Sequence, residues 1–147
     1  MSTHELKTEI EIDAERKRVW EILADFEAYP DWNPFIKFIR GALRKGGYLQ
    51  VRLQPSGGKG MTLRPTVLVA DSEGELRWIG HFLFPGLLDG EHRLWIEPIS
   101  NGRVRFHQNE QFRGILVPLF RGYLDRGAQR GFVEMNAALK ARAESQG

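Results

Sequence analysis

Residues 92–114, HRLWIEPISNGRVRFHQNEQFRG, decide how the chain is to be read. From Arg103 onward the stretch alternates, with Arg103, Arg105, His107, Asn109, Gln111 and Arg113 on one face and Val104, Phe106 and Phe112 on the other, the period of a half-buried strand. The apolar face also carries Gln108 and Glu110. A buried amide or carboxylate is costly unless paired, so the turn that fixes their partners matters. A two-residue Asn-Gly loop would pair Ser100 with Arg103 and set inward residues opposite outward ones along the ladder, which the pleat forbids. A three-residue loop with Gly102 left-handed pairs Ile99 with Arg103, then Pro98 with Val104, Ile96 with Phe106, Leu94 with Gln108 and His92 with Glu110. Each pair shares a face, and Cβ atoms so placed stand about 4.5–5.5 Å apart. His92 and Glu110 are therefore expected to touch.

Working outward, period-two runs fill residues 36–114: Leu49, Val51 and Leu53, then Leu63, Val67 and Val69, then Leu76, Trp78 and Phe82, then Leu94 and Ile96. Turn residues separate them at PSGGKG (55–60), DSEGE (71–75), FPGLLDG (84–90) and SNG (100–102), so consecutive strands are expected as antiparallel neighbours in a meander. PSGGKG lacks the spacing of a phosphate-binding loop and precedes a strand, which makes it a hairpin loop. Upstream, Leu6, Ile10 and Ile12 alternate with Glu5, Lys7, Glu9 and Glu11 as a first strand. Asp13 is expected to cap a helix carrying Val19, Trp20, Leu23 and Phe26, which Pro30 and Pro34 then break. Downstream the period becomes 3.6. Phe120, Tyr123, Leu124, Gly127, Gly131, Met135 and Leu139 form one stripe of a helix expected from about Val117 to Glu144. Gly122, Gly127 and Gly131 in its interior each cost about 1 kcal/mol relative to Ala. They serve either close packing on the sheet or room for a ligand.

Composition narrows the function. The length of 147 residues fits a single domain spanning 1–147 around one core. Lys and Arg (21) barely exceed Asp and Glu (19) and are scattered, so no nucleic-acid partner is expected. The absence of cysteine excludes disulfides, thiolate metal sites and a cysteine nucleophile. His4, His81, His92 and His107 show no metal spacing, and no metal or other cofactor is expected. Ser2, Ser56, Ser72, Ser100 and Ser145 lie in termini or turns without a G-x-S-x-G context, which argues against a serine hydrolase. No apolar run suggests a signal peptide or stable membrane insertion, and a cytoplasmic location is the expectation.

The order strand, helix, short helix, meander, long helix, together with IEIDAERKRVWEILADFEAYPDWNPFI (10–36), resembles the START-like or SRPBCC superfamily, in particular its bacterial polyketide cyclase/dehydrase and lipid-transport branch. The specific positions are Asp13, Ala14, Val19, Trp20, Tyr29, Pro30, Trp32, Asn33 and Pro34. The runs FPGLLDGEHRLWIEP and HQNEQFRGILVPL also look like that superfamily. The resemblance implies an α+β helix-grip fold, a curved antiparallel sheet wrapped around the long C-terminal helix, with two short helices after the first strand and an apolar cavity between helix and sheet.

Inward positions of these elements nominate Val67, Trp78, Phe82, Leu94, Phe106, Phe112, Tyr123 and Gly127 as cavity lining, with Gln108, Glu110 and His92 at its polar end. Trp32 and FLFPGLL (82–88) are expected at its mouth. The leading functional expectation is a monomer or homodimer that binds or transports a hydrophobic small molecule, a lipid or an aromatic polyketide-like compound. Its rival is a cyclase- or dehydratase-type enzyme with Glu110 and His92 transferring protons. A structural ion pair, or a bulge near Gly114 turning Glu110 to water, remains open. So does an interaction module using the basic face of Arg103, Arg105 and Arg113.

Overall fold

The computed structural model describes residues 2–55 and 57–145, so that Met1, Ser56, Gln146 and Gly147 lie outside the described residues. Strict alternation at the N-terminus forms β1 (Thr3–Ile12), which buries Leu6 and Ile12 and exposes Glu5, Lys7, Glu9 and Glu11. Helix α1 (Arg16–Ala24) buries Val19, Ile22 and Leu23. Asp13 does not cap it, contrary to expectation. The helix starts three residues later behind Glu15, and the Asp13 carboxylate is held instead by Arg103 Nε at 3.0 Å. A 3₁₀ turn (Phe26–Ala28) and α2 (Tyr29–Trp32) follow. The buried Tyr29 hydroxyl donates to the Leu23 carbonyl at 2.7 Å, which ties this segment back to α1.

Two antiparallel sheets come next. β2 (Ile36–Gly41), β3 (Leu49–Leu53) and β4 (Met61–Leu63) form one, in that order. β5 (Thr66–Asp71), β6 (Glu75–Phe82), β7 (Leu88–Ser100) and β8 (Arg103–Arg113) join β1 in the other, ordered β1-β8-β7-β6-β5. The run from Leu63 to Val69 is thus two strands, and β4 does not pair with β5. Pro65, which has no N–H to offer a ladder, sits at the break. Its carbonyl accepts from Leu49 N at 2.9 Å, and a single Tyr48–Thr66 bridge links the two sheets.

The β7–β8 ladder pairs Pro98 with Val104, Ile96 with Phe106, Leu94 with Gln108 and His92 with Glu110, as the pleat requires. Its closing pair differs from expectation: Ser100, not Ile99, faces Arg103. A register shift between Pro98 and Ser100 takes up the odd residue, so the two-residue turn closes the ladder without reversing its faces. Gly102 has φ +71°, the left-handed conformation the turn needs. Register is unbroken through Asp89–Arg113, so no bulge turns Glu110 outward.

The C-terminal helical run comprises α3 (Val117–Tyr123), a π turn (Leu124–Ala128) and α4 (Gln129–Glu144), with right-handed helical backbone at every junction. Gly127 and Gly131 are buried, but Gly122 is exposed and does not face the sheet as expected. Gly131 serves close packing. A Cβ there would run into Cδ1 and Cε1 of Phe35, a buried ring that also meets Phe132 edge-on at 5.5 Å.

Candidate functional site

A cavity of about 290 Å³ opens between the small sheet, the inner face of β6–β8 and the C-terminal helix. Phe35, Leu53, Pro55, Met61 and Leu63 wall one side, Trp78, Phe82, Leu88, Glu110 and Phe112 the other, and Phe120, Tyr123, Leu124 and Ala128 the helical side. Two further wall residues have no side chain. Gly80 and Gly90 are direct cross-strand partners, and their bare backbone leaves room where two inward side chains would otherwise meet. Gly90 belongs to the interior of β7 and not to the preceding turn, which is shorter than FPGLLDG suggested.

One polar chain reaches the cavity. His92 lies between the face of Trp78 (centroids 5.0 Å apart, planes at 14°) and the edge of Phe132 (5.0 Å, 82°). Its Nδ1 is 2.9 Å from Glu110 Oε1, and its Nε2 is 2.9 Å from Gln108 Oε1. Gln108 Nε2 donates to Asn136 Oδ1 at 2.8 Å and, at 3.5 Å, to the Phe132 carbonyl. Asn136 Nδ2 donates to Thr8 Oγ1 at 2.9 Å, and that hydroxyl donates to the Gln108 main-chain carbonyl at 2.6 Å. Gln108, His92 and Asn136 are buried and their side-chain polar atoms have exchanged water for protein partners, while Glu110, at the cavity wall, is only part-buried. The other carboxylate oxygen, Oε2, lies over Gly90, where a Cβ would collide with it.

Of the residues nominated from sequence, Trp78, Phe82, Glu110, Phe112 and Tyr123 stand on the cavity wall. Val67, Leu94 and Phe106 do not. They are buried in the hydrophobic core, because the cavity lies towards Gly80 and Gly90 and the strand positions beyond are filled by their neighbours. Gln108 and His92 sit behind Glu110 and reach the cavity only through it. Gly127 is buried but is not on the wall, and a Cβ added there would make only ordinary contact with Pro55 Cβ at 3.5 Å and the Tyr123 ring at 3.9 Å. Trp32 is not at the mouth either, since it packs edge-on to Tyr29 at 5.2 Å against the core. Sequence reading missed Thr8 and Asn136, although Asn136 falls four residues after Phe132 and three before Leu139 on the helix's buried stripe, where a polar residue is a signal. It also missed Phe35 and the β3–β4 wall.

Around the opening, Phe82 (39% exposed) and Tyr123 (41%) form a rim, and Leu83, Phe84, Ile115 and Leu119 are exposed nearby. Leu83 adopts φ +66°, which is uncommon for a residue with a Cβ. Ile115 N and Leu116 N donate to the carbonyls of Gly86 and Leu87, fastening the β6–β7 turn to the start of α3. His81 reaches the rim paired with Asp89 at 2.7 Å. The basic outer face is largely neutralised: Arg103 meets Glu11 and Asp13, and Arg105 meets Glu9, Glu11 and Glu97. Among the described residues no cluster of three His, Asp or Glu side chains is placed to hold a metal, and no helix is long and apolar enough to cross a membrane.

An antiparallel sheet curved against a long C-terminal helix, with a cavity between them, defines a START-like helix-grip protein. The chain belongs to the polyketide cyclase/dehydrase and lipid transport family, whose description matches residues 3–144. It is similar in structure to the Zhui aromatase/cyclase from Streptomyces sp. R1128 (TM-score 0.78, 16% identity, covering 97% of this chain and 94% of that one). A START superfamily protein from Mycobacterium smegmatis compares at TM-score 0.74 and 20% identity, over 96% and 97% of the two chains. Truncated norcoclaurine synthase from Thalictrum flavum compares at TM-score 0.75 and 12% identity, over 99% and 96%. Identities this low carry the fold alone. No curated protein matches the chain.

Proposed function

We propose that the protein is a single-domain carrier or sensor that binds a predominantly apolar small molecule, a lipid or aromatic polyketide-like compound, in the cavity beside Glu110. The observation that carries this reading is the wall itself, apolar except for Glu110, the rim His81 and the Tyr123 hydroxyl. At about 290 Å³ the volume is near the lower end of ordinary ligand pockets, roughly 300–1,000 Å³. Membership of the polyketide cyclase/dehydrase and lipid transport family supports the class of ligand. The test fills the cavity at Gly80, where a Cβ meets nothing closer than Pro65 Cβ at 3.8 Å. N-phenyl-1-naphthylamine should bind the wild type with a Kd well below millimolar, and Gly80→Leu should abolish binding while melting as a folded protein. Equal binding by a folded Gly80→Leu variant refutes the proposal.

A second reading rests on Glu110, a carboxylate at the wall of an apolar cavity with an imidazole behind it. This is the arrangement of a general base or acid in a cyclase or dehydratase. The carrier reading is preferred because the other polar groups of the wall lie at its wet rim, His81 held by Asp89 and Tyr123 41% exposed, away from the shielded setting in which a donor holds a developing oxyanion well. Consumption of a ligand by wild type but not by Glu110→Gln reverses that preference.

A further inference from the structure

The proton inventory of the His92–Glu110 pair follows from the chain behind it. The chain starts at the Gln108 main-chain carbonyl, which can only accept, 2.6 Å from Thr8 Oγ1. The threonine hydroxyl must spend its one proton there and can only accept from Asn136. Asn136 therefore turns its amide nitrogen to Thr8 and its oxygen to Gln108, and Gln108 in turn presents its nitrogen to Asn136 and its oxygen to His92. A second carbonyl, that of Phe132, faces the same Gln108 nitrogen and reinforces the direction. His92 Nε2 must then carry a proton.

One more proton lies in the 2.9 Å contact between Nδ1 and Glu110 Oε1. It sits on nitrogen, giving imidazolium and carboxylate, or on oxygen, giving imidazole and carboxylic acid. Both forms hold the same number of protons, both sum to zero charge, and both leave Oε2 over Gly90 unprotonated. The reversed chain would place the only ring proton on Nδ1, and the pair would then either carry a net negative charge at an apolar wall or be neutral only with a proton on Oε2, which would donate to a ligand and not accept from it. Resting on the proposed use of the cavity, we infer that Thr8, Asn136 and Gln108 are positioning residues that hold the His92–Glu110 pair at zero net charge, so that the cavity selects uncharged ligands bearing a hydroxyl, an alcohol or phenol that donates to Glu110 Oε2, over their ethers and over ammonium analogues. An ether has no proton for Oε2, and an ammonium would add an unbalanced charge to a mostly apolar wall.

The experiment measures Kd for 2-naphthol, 2-methoxynaphthalene and 2-naphthylmethylammonium, together with the ¹⁵N-edited imidazole spectrum of His92, in wild type, Thr8→Val and Thr8→Ser. Wild type should show a protonated Nε2 and should bind naphthol about three- to tenfold more tightly than the ether, the worth of one hydrogen bond. Thr8→Val removes the hydroxyl that sets the direction and leaves only the longer, 3.5 Å contact of Gln108 with the Phe132 carbonyl to favour it. It should mix the two ring tautomers and shift the naphthol-to-ammonium ratio severalfold towards the cation, while Thr8→Ser keeps both wild-type readings. An unprotonated Nε2 in wild type, or equal affinity for naphthol and its ether, overturns the inference. If none of the three compounds binds, the cavity reading has failed and the ligand selection with it, and the spectrum still decides the direction of the chain.

Discussion

Replacing Gly131 by Ala separates helix propensity from packing. In an ordinary helix interior the change gains about 0.8–1.0 kcal/mol. Here the new methyl would enter the Phe35 ring at Cδ1 and Cε1, with Cγ at 3.0 Å, and overfilling a packed site of this kind costs about 1–3 kcal/mol. The ring's available retreat is towards the cavity it already lines. Gly122→Ala is the control: the position is exposed in α3, and its nearest neighbour is the flexible Arg126 guanidinium, with Nη1 at 3.2 Å. The propensity gain is common to both, so the difference between the variants reports packing alone. Thermal unfolding should place Gly131→Ala below Gly122→Ala by about 1–3 kcal/mol, or roughly 3–9 °C at the entropy of unfolding of a chain this size. Gly131→Ala should also weaken N-phenyl-1-naphthylamine binding as Phe35 moves into the cavity. Variants that melt within one degree of each other would refute the packing argument.

Glu75 gives a pH dependence of defined sign. Partial burial pushes its carboxyl up, but hydrogen bonds and charge from Arg93 and Arg77 outweigh this and hold it below the ordinary carboxylate range. A group lowered on folding contributes stability that is complete above its unfolded value and is lost as pH falls through its folded one. The urea midpoint of wild type should therefore fall more steeply than that of Glu75→Gln as pH is lowered below the ordinary carboxylate range, and parallel curves would remove Glu75 as a source. Asn33 Oδ1 accepts from Phe35 N at 2.9 Å and Ile36 N at 2.8 Å in a buried turn. Asn33→Ala strands both donors and should cost at least about 2 kcal/mol in urea denaturation. A loss under 0.5 kcal/mol would mean that water replaces the side chain.

The parts of the molecule legible in sequence were those governed by a local period or by pairing parity. The His92–Glu110 contact followed from requiring partners to share a face, and it survived a change in the turn itself because the shift near Ile99 preserved that parity. The helix stripe was visible for the same reason. The cavity's position was not, since alternation marks Val67, Leu94 and Phe106 as inward without saying whether the space inside is filled. That was decided by Gly80 meeting Gly90 across two strands, a coincidence of register that neither segment shows alone. Phe35 and the β3–β4 wall come from a separate sheet, whose placement depends on the break at Pro65 and on packing against the helix. Asp13 failed as a cap for a different reason: an ion pair across the sheet competed for the carboxylate.

The π turn at Leu124–Ala128 carries a consequence for how the chain tolerates changes in length. A wide turn absorbs one residue more than an α-helix would over the same span, so α3 and α4 keep their own faces towards cavity and core on either side of it. Removing one exposed residue there, Asp125 or Arg126, would let the turn tighten into ordinary helix with both faces unchanged. The same tightening without a deletion would rotate α3 by about 100°, the angle of one residue, and carry Phe120 and Tyr123 away from the cavity. At this one point of the helix, losing a residue is gentler than keeping it in a regular turn, and a one-residue deletion leaves the mouth of the cavity and its floor both in place.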